Sequence, residues 1–243
     1  MISIIYGLLI GAFVSLIGGG GASLYLGVLT SQLNVPTAIA VPTSLFVALP
    51  ALFFGFLTQA RIRNVQFRLG NYLILAALPG IVGGTVVARF ISTRVYDWTV
   101  GVVLVVMGGV VLLKYWRPTS KSASKRPGWA IVFGLLSGLM VGIGGLSGGA
   151  TTAAGLSILG LSAIEAAGTA TYVLFWMSLV GFISHLLTSP IDWQVGLGLM
   201  GGAVVGAIIT PLILQRLNYV KVNRLLTPLL GMIIIYFGVK LLV

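Results

Sequence analysis

Two glycine clusters in apolar surroundings are the residues of this chain best suited to chemistry. They span residues 18–21 and 144–149, and Leu146 and Ser147 interrupt the second one. Each interior Gly costs a helix about 1 kcal/mol relative to Ala, so the clusters predict two interrupted helices. A helix that restarts after a break presents backbone N–H groups without intrahelical acceptors. Such an end behaves as about half a positive charge and binds oxyanions.

Hydroxyl groups near the clusters extend this predicted anion site. No Lys or Arg lies close to either cluster, so the backbone has to supply the positive charge. We expect two inverted hairpins to bring the two helix starts together. The predicted substrate-binding residues are Gly19, Gly20, Gly21, Ser23, Thr43, Ser44, Ser147, Gly148, Gly149, Thr151, Thr152 and Thr169.

Two other interpretations of the clusters stay open. The first half of each broken helix ends at the same place and offers carbonyl groups, which hold sodium in discontinuous helices. The clusters could also serve only the close packing of helices. The ridges Gly7/Gly11/Ser15 and Gly134/Gly138/Gly142 are more typical of packing than of ligand binding.

The titratable side chains give no sign of an enzyme. The chain has three acidic residues and one histidine. Ser162 and Glu165 have the spacing of a capping box, and Asp97 and Asp192 are expected at helix starts, where a carboxylate suits the helix dipole. No carboxylate pair remains for acid–base or metal chemistry. We therefore expect no catalytic residue, no metal and no cofactor.

His185 is the one candidate for coupling transport to protons. It lies in the last turn of the sixth apolar segment, and imidazole titrates near neutral pH. The alternative is an interfacial histidine bonded to a carbonyl group. Coupling to sodium is a further possibility.

The composition is that of an integral membrane protein. Of the 243 residues, 58% are hydrophobic and 7% are charged. A net charge of +11 could suggest nucleic acid, but the 14 Lys and Arg residues fall in short clusters between apolar runs. This pattern is typical of cytoplasmic anchors, so no nucleic-acid partner is expected. The N-terminus lacks the basic region of a cleavable signal, and the first apolar run is expected to remain in the fold.

The sequence resembles itself when shifted by about 126 to 128 positions. Gly7 then pairs with Gly134, the two glycine clusters pair, and at a shift of 123 Gly83 pairs with Gly206. We predict an all-α protein of two duplicated halves, residues 1–116 and 129–243, joined by a basic linker at 117–128. Each half has four apolar segments, at about 3–33, 37–58, 70–91 and 97–116, and at about 129–159, 163–187, 194–214 and 222–243.

The first segment of each half is too long for a single straight crossing. About 31 residues reach roughly 46 Å, against a hydrocarbon core of about 30 Å. Each is either a long broken helix or a re-entrant hairpin. Hairpins separate the basic residues better, because they leave only Arg89, Arg94 and Lys240 on the outer side. They also predict inverted halves with both termini outside.

The order of these motifs resembles the TauE/SafE family of sulfite and organosulfonate exporters. The resemblance covers nearly the whole chain and comprises the break at 18–21, A-x-P-T-S-L at 40–45, the basic loop at 61–68 and G-x-x-G-G at 80–84. These motifs are repeated in the second half, which departs at Leu146, at Ser147 and at Gly168, the counterpart of Pro42. The resemblance implies a permease for sulfite, sulfoacetate or a related sulfonate.

We therefore expect a secondary transporter of a small oxyanion in the inner membrane of a prokaryote, working by alternating access. Its partners are the anionic substrate and membrane lipid. The sequence leaves three alternatives: a passive anion channel, a cation-coupled carrier of another small solute, and a non-transporting membrane scaffold. It gives no indication of oligomeric state or direction of transport.

Overall fold

A computed structural model describes residues 2–17, 21–116, 128–146, 148–214 and 219–242. These residues form ten α-helices, which confirms the predicted all-α class. The helices are α1 (Ile2–Ile17), α2 (Gly21–Ser31), α3 (Thr37–Arg61), α4 (Phe67–Phe90), α5 (Thr93–Trp116), α6 (Gly128–Gly144), α7 (Gly149–Ile158), α8 (Ala163–Leu186), α9 (Trp193–Leu214) and α10 (Tyr219–Leu242).

The second predicted helix interruption is confirmed, because α6 ends at Gly144 and α7 begins at Gly149. The first predicted interruption falls on residues 18–21, of which only Gly21 is described. Residues 18–20, Ser147 and the linker residues 117–127 lie outside the described part of the chain.

The second long segment folds back on itself. Ser137 of α6 lies beside Thr151 and Thr152 of α7, and one turn further along α7 a Cβ on Gly155 would lie 2.7 Å from Phe133. The contacts move backward along α6 as α7 advances, so the two helices are antiparallel. The second break is therefore the tip of a helical hairpin, which we call the α6–α7 tip (residues 144–149).

Helices pack through glycines at the two predicted ridges. A Cβ on Gly7 or Gly11 would overlap a backbone carbonyl of α9, and a Cβ on Gly138 or Gly142 would overlap one of α4. These are the close approaches that small residues allow in membrane proteins. The predicted packing role is confirmed for the glycines of both ridges, which join α1 to α9 and α4 to α6. The side chain of Ser15 lies outside the described part of the chain.

The last helix also contacts α2. Phe237 of α10 occupies the space beside Gly27 of α2. The Lys240 amine donates to the backbone carbonyl of Ser31, the last residue of α2. A cation at this position stabilises the negative end of the α2 dipole.

Helices α3 and α8 cross the centre of the molecule as an antiparallel pair. Gly55 lies against Thr171, and Gly181 lies against Leu45. Phe46 and Phe182 stack with ring centroids 5.4 Å apart. Ten residues of α3 are buried, so this pair contributes much of the core.

The outer surface is apolar, as expected of an integral membrane protein. Within the described residues, three helices are long and apolar enough to cross a membrane: Thr37–Arg61, Phe67–Phe90 and Glu165–Leu186. Large apolar side chains face outward, including Phe90 at 85% and Leu187 at 80% exposure. A soluble protein rarely exposes so continuous an apolar surface.

The structure confirms two of the three predicted helix caps and corrects the third. The Ser162 and Glu165 capping box is formed, and the Asp192 carboxylate accepts a hydrogen bond of 2.9 Å from the Val195 amide. Asp97 was predicted at a helix start, but α5 begins at Thr93. The prediction was wrong because α5 also includes the residues from Thr93 to Tyr96, before the predicted apolar segment. Asp97 therefore lies in the second turn.

Candidate functional site

Three hydroxyl groups surround the start of α7 in the protein interior. The Thr152 hydroxyl donates to Ser137 Oγ at 3.2 Å, and Ser137 shares a hydrogen bond of 2.8 Å with Thr151. Thr151 in turn donates to the Gly148 carbonyl at 2.7 Å. We call Ser137, Thr151 and Thr152 the hydroxyl cluster. It joins α6 to α7 and fixes the position of the α7 N-terminus.

The first amides of α7 have the features of an anion site. The Thr152 amide bonds to the Gly148 carbonyl at 2.9 Å, so the amides of Gly149, Ala150 and Thr151 precede the intrahelical ladder. Gly148 has φ +51, a conformation that suits glycine. Gly148, Gly149 and Thr152 are buried. Because α6 and α7 contain no charged residue, the helix dipole is the local source of positive potential.

The α6–α7 tip lies against the early turns of two other helices. A Cβ on Gly145 would lie 2.7 Å from Val41 of α3, and one on Gly144 would lie 3.7 Å from Val100 of α5. Ser44 follows Val41 by three residues in α3, and its hydroxyl donates to the Val41 carbonyl at 2.8 Å. The Ser44 hydroxyl is therefore bonded within its own helix.

A cavity of about 600 Å³ adjoins the start of α3. It separates the α2–α3 connection from the α8–α9 connection, and Ile39 lies in its wall, two residues before Val41. Its lining includes the polar residues Asn34, Asp192 and Gln194. Its lining residues come from these two connections and from the starts of α3 and α9.

His185 also lies at this end of the hairpin. It is 2% exposed, and its Nε2 atom is buried without a hydrogen-bond partner among the described residues. Its imidazole interacts with the backbone of Val141 and Gly142, in the last turn of α6. Thr85 of α4 contacts the same Gly142 carbonyl at 3.4 Å.

Thr43 and Thr169, two of the predicted site residues, bind backbone groups of the protein. The Thr43 hydroxyl accepts from the Asp192 amide at 3.3 Å and donates to the Ile39 carbonyl at 2.7 Å. The Thr169 hydroxyl accepts from the Gln66 amide at 2.9 Å. Both therefore hold a connecting segment against the start of a central helix.

The first break is described only from Gly21 onward. Gly21 and Ser23 are buried in α2, and Gly19 and Gly20 lie outside the described residues, as does Ser147. The described contacts unite Gly148, Thr151 and Thr152. Gly149 adjoins them, whereas Thr43 and Thr169 lie at separate contacts.

Three buried polar residues were missed by the sequence analysis. Ser137 is the centre of the hydroxyl cluster, and Tyr25 Oη and Ser178 Oγ are buried without a partner among the described residues. Ser137 directly precedes Gly138, and because that glycine was assigned to a packing ridge, Ser137 was not considered as a site residue. Tyr25 and Ser178 lie within apolar segments, where no sequence motif marks them as site residues. Within the described residues, no group of three His, Asp or Glu side chains could hold a metal ion.

Comparison with known proteins gives one family. A family model described as "Sulfite exporter TauE/SafE" matches residues 3–241. The chain is similar to the probable membrane transporter protein YunE of Bacillus subtilis (strain 168), with 23% identity over 268 residues that cover 98% of each chain. It is also similar to YdhB of the same organism, another probable membrane transporter protein, with 26% identity over 247 residues, 98% of this chain and 100% of that protein.

A third relative comes from an archaeon. The probable membrane transporter protein MJ0441 of Methanocaldococcus jannaschii is 22% identical over 231 residues, which cover 93% of this chain and 86% of that protein. No solved structure matches the chain.

Proposed function

Since the chain belongs to the TauE/SafE sulfite exporter family, a family of membrane transporters, we propose that it moves a small sulfur-containing oxyanion such as sulfite or an organosulfonate. The buried start of α7 carries this proposal. Sulfur oxyanions are hydrogen-bond acceptors, and the α7 amides are donors that lie in the protein interior without a competing carboxylate in α6 or α7. The anion would bind there and at the equivalent start of α2.

The hydroxyl cluster supports this assignment through its geometry. Its protons run from Thr152 through Ser137 and Thr151 to the Gly148 carbonyl. Rotation of one hydroxyl frees a donor for an incoming oxyanion, at the cost of one weak internal bond. Hydrogen bonds to a charged acceptor contribute about 1.5–3 kcal/mol each, against about 1 kcal/mol for a neutral pair. The hydrogen bond to a bound anion therefore offsets the loss of the internal hydrogen bond.

We also propose that the two halves are inverted repeats, which would support alternating access. Equivalent hydrogen bonds support this: Thr43 accepts from the Asp192 amide, and Thr169 accepts from the Gln66 amide. Both threonines and both amides are related by one shift of 126 positions. The ridge contacts of Gly7 on Leu199 and of Gly134 on Leu73 follow the same pattern.

The register within α4 and α9 differs from the one inferred from the sequence. Gly206 lies on the carbonyl of Leu8, and Gly80 lies on the carbonyl of Leu135. Gly80 is thus the packing counterpart of Gly206, at a shift of 126, and the pairing of Gly83 with Gly206 at 123 does not fit these contacts. A Cβ on Gly83 would meet nothing within 4 Å.

The two ends of the α3–α8 pair differ in a way that alternating access requires. At one end, the Gln66 side chain donates to Glu165 at 3.4 Å and Asn64 fills the space at Gly168. At the other end, the cavity lined by Asn34 and Asp192 lies between the α2–α3 and α8–α9 connections. In the proposed cycle, α3 and α8 rock so that the open end and the closed end exchange.

The proposed orientation gives a topological prediction. With two re-entrant hairpins, both termini lie outside and the linker 117–128 lies in the cytoplasm of a prokaryotic inner membrane, in accord with the positive-inside rule. We expect alkaline phosphatase fused after Val243 to be active, and green fluorescent protein inserted in the linker to fluoresce. A fluorescent fusion after Val243 would contradict the hairpin topology.

Uptake into proteoliposomes tests the transported substrate. We expect labelled sulfite to enter liposomes containing the purified protein with saturable kinetics, and sulfate or taurine to compete to different extents. Saturation is expected because each protein molecule has a limited number of binding sites. Flux that rises linearly with sulfite concentration and shows no competition would indicate a passive channel, and sodium dependence with a neutral solute would indicate the cation-coupled alternative.

A further inference from the structure

We propose that His185 is the proton-binding residue of this transporter and that its charge is thermodynamically linked to the anion at the α7 N-terminus. The inference rests on the proposed function, because it requires an anion at the α6–α7 tip. It adds an identified coupling ion and the residue that carries it.

The surroundings of His185 leave one ring nitrogen available for a proton. The imidazole lies against the Val141 and Gly142 backbone, and its Nε2 is buried without a partner among the described residues. Ser178, Gly181 and His185 recur at helical spacing and so share one face of α8. A Cβ on Gly181 would lie 2.7 Å from Val141, so this face is packed tightly against the end of α6.

The break between α6 and α7 separates two opposite partial charges. The last carbonyls of α6 form the negative end of one helix dipole, and the first amides of α7 form the positive end of another. An imidazolium at His185 would interact with the carbonyl end, while the oxyanion binds the amide end. One helical hairpin thus offers matched positions for a proton and an anion, and their joint binding reduces the net charge in the protein interior.

Few other charged groups face His185. Helices α3, α4, α6 and α7 pack against α8, and α6 and α7 contain no titratable side chain. The titratable side chains of the other two are Arg61 of α3 and Arg68, Tyr72 and Arg89 of α4. Arg61, Arg68 and Tyr72 belong to the opposite end of the α3–α8 pair, and Arg89 is exposed one turn beyond Thr85. On α8 itself, Glu165 and Tyr172 lie near its start, and Asp192 follows in the α8–α9 connection.

His185 directly precedes the connection between α8 and α9, which lines the cavity described above. It lies in the last turn of α8, and Asp192 of the connection belongs to the cavity lining. The Thr188 and Ser189 amides both bond to the His185 carbonyl, at 2.9 and 2.8 Å. In the proposal, a proton passes from this connection to the buried ring.

The chain contains a single histidine, which makes the test direct. Imidazole resonances of the wild-type protein in lipid nanodiscs are followed from about pH 4 to pH 9, first without ligand and then with saturating sulfite. Because a bound anion stabilises the charged ring, we expect sulfite to raise the titration midpoint by at least about 0.7 pH unit, the equivalent of a fivefold linkage. A ring that does not titrate in this range, or whose midpoint is unchanged by bound sulfite, overturns the proposal.

The reciprocal measurement uses His185→Gln. Linkage requires wild-type protein to bind sulfite at least about fivefold more tightly below the midpoint than above it. Sulfite has its own pH dependence, which is common to both proteins, so the difference between wild type and His185→Gln isolates the residue. We expect the change of sulfite affinity with pH that depends on the residue to be lost in His185→Gln. Identical pH profiles of wild type and variant overturn the proposal. Absence of sulfite binding to wild type at every pH contradicts the proposed function instead, while the ligand-free titration still shows whether His185 takes up a proton.

Discussion

Replacing Gly202 with alanine is expected to separate α1 from α9 and to destabilise the protein by at least about 2 kcal/mol, within the range of overpacking in cores. A Cβ at this position would overlap the Ile4 carbonyl oxygen and lie 2.7 Å from the Leu8 amide nitrogen. Both atoms belong to the α1 backbone, so no flexible side chain can move aside. Because membrane helices associate mainly by close packing, the lost contact has no hydrophobic compensation. Thermal unfolding of purified protein, followed by size-exclusion chromatography, measures the effect.

The adjacent glycine provides a matched control. A Cβ on Gly201 would meet no atom within 4 Å, and the two glycines share the same helix. Gly201→Ala should leave the melting temperature unchanged or raise it slightly, since Ala favours a helix by about 1 kcal/mol over Gly. Equal melting temperatures for the two variants would show that α1 and α9 are not packed as described.

Thr152→Val is expected to weaken anion binding by about tenfold or more. The substitution keeps the branched shape and removes the hydroxyl that donates to Ser137 at 3.2 Å. Loss of one hydrogen bond to a charged ligand amounts to about 1.5–3 kcal/mol. Isothermal titration of purified protein with sulfite gives the affinity, and the proteoliposome assay gives the corresponding rise in the half-saturating concentration.

Thr58→Val is the matched control for this prediction. Thr58 is exposed on α3, and its hydroxyl bonds to the Phe54 carbonyl at 2.9 Å within its own helix. The same isosteric change there should leave sulfite affinity within about twofold of wild type, or about 0.4 kcal/mol, because the Thr58 hydroxyl does not belong to the hydroxyl cluster. A Thr152→Val protein that binds sulfite as tightly as Thr58→Val would exclude the hydroxyl cluster from the anion site.

Local features of the fold were predictable from the sequence, because they depend on neighbouring residues. The second glycine cluster interrupts a helix, and Ser162 and Glu165 form a cap through their own spacing. Helix partners were not predictable in the same way. Membrane helices are apolar on all sides, so the pattern of apolar residues does not show that Gly7 packs on Leu199 of α9. The ridges indicated close packing but not the partner.

The backbone of the candidate site was predictable from the sequence, but the arrangement of its side chains was predictable only in part. The start of α7 follows from the second glycine cluster, and Thr151 and Thr152 follow from their place after it. Ser137 is brought to them by the hairpin, a contact between helices that the sequence alone does not give. Thr43 and Thr169 were chosen for their place after the clusters, and the structure shows both bonded to backbone amides of distant segments.

The packing of α1 on α9 and of α2 on α10 bears on how the protein is made. Ribosomes add about 5–20 residues per second, so the roughly 190 residues between Gly7 and Leu199 take on the order of 10–40 s to synthesise. During that interval α1 lacks the α9 backbone on which Gly7 and Gly11 pack. Lys240, which binds the end of α2, is translated later still. The packing of α1 and α2 is therefore completed only after α9 and α10 have been synthesised.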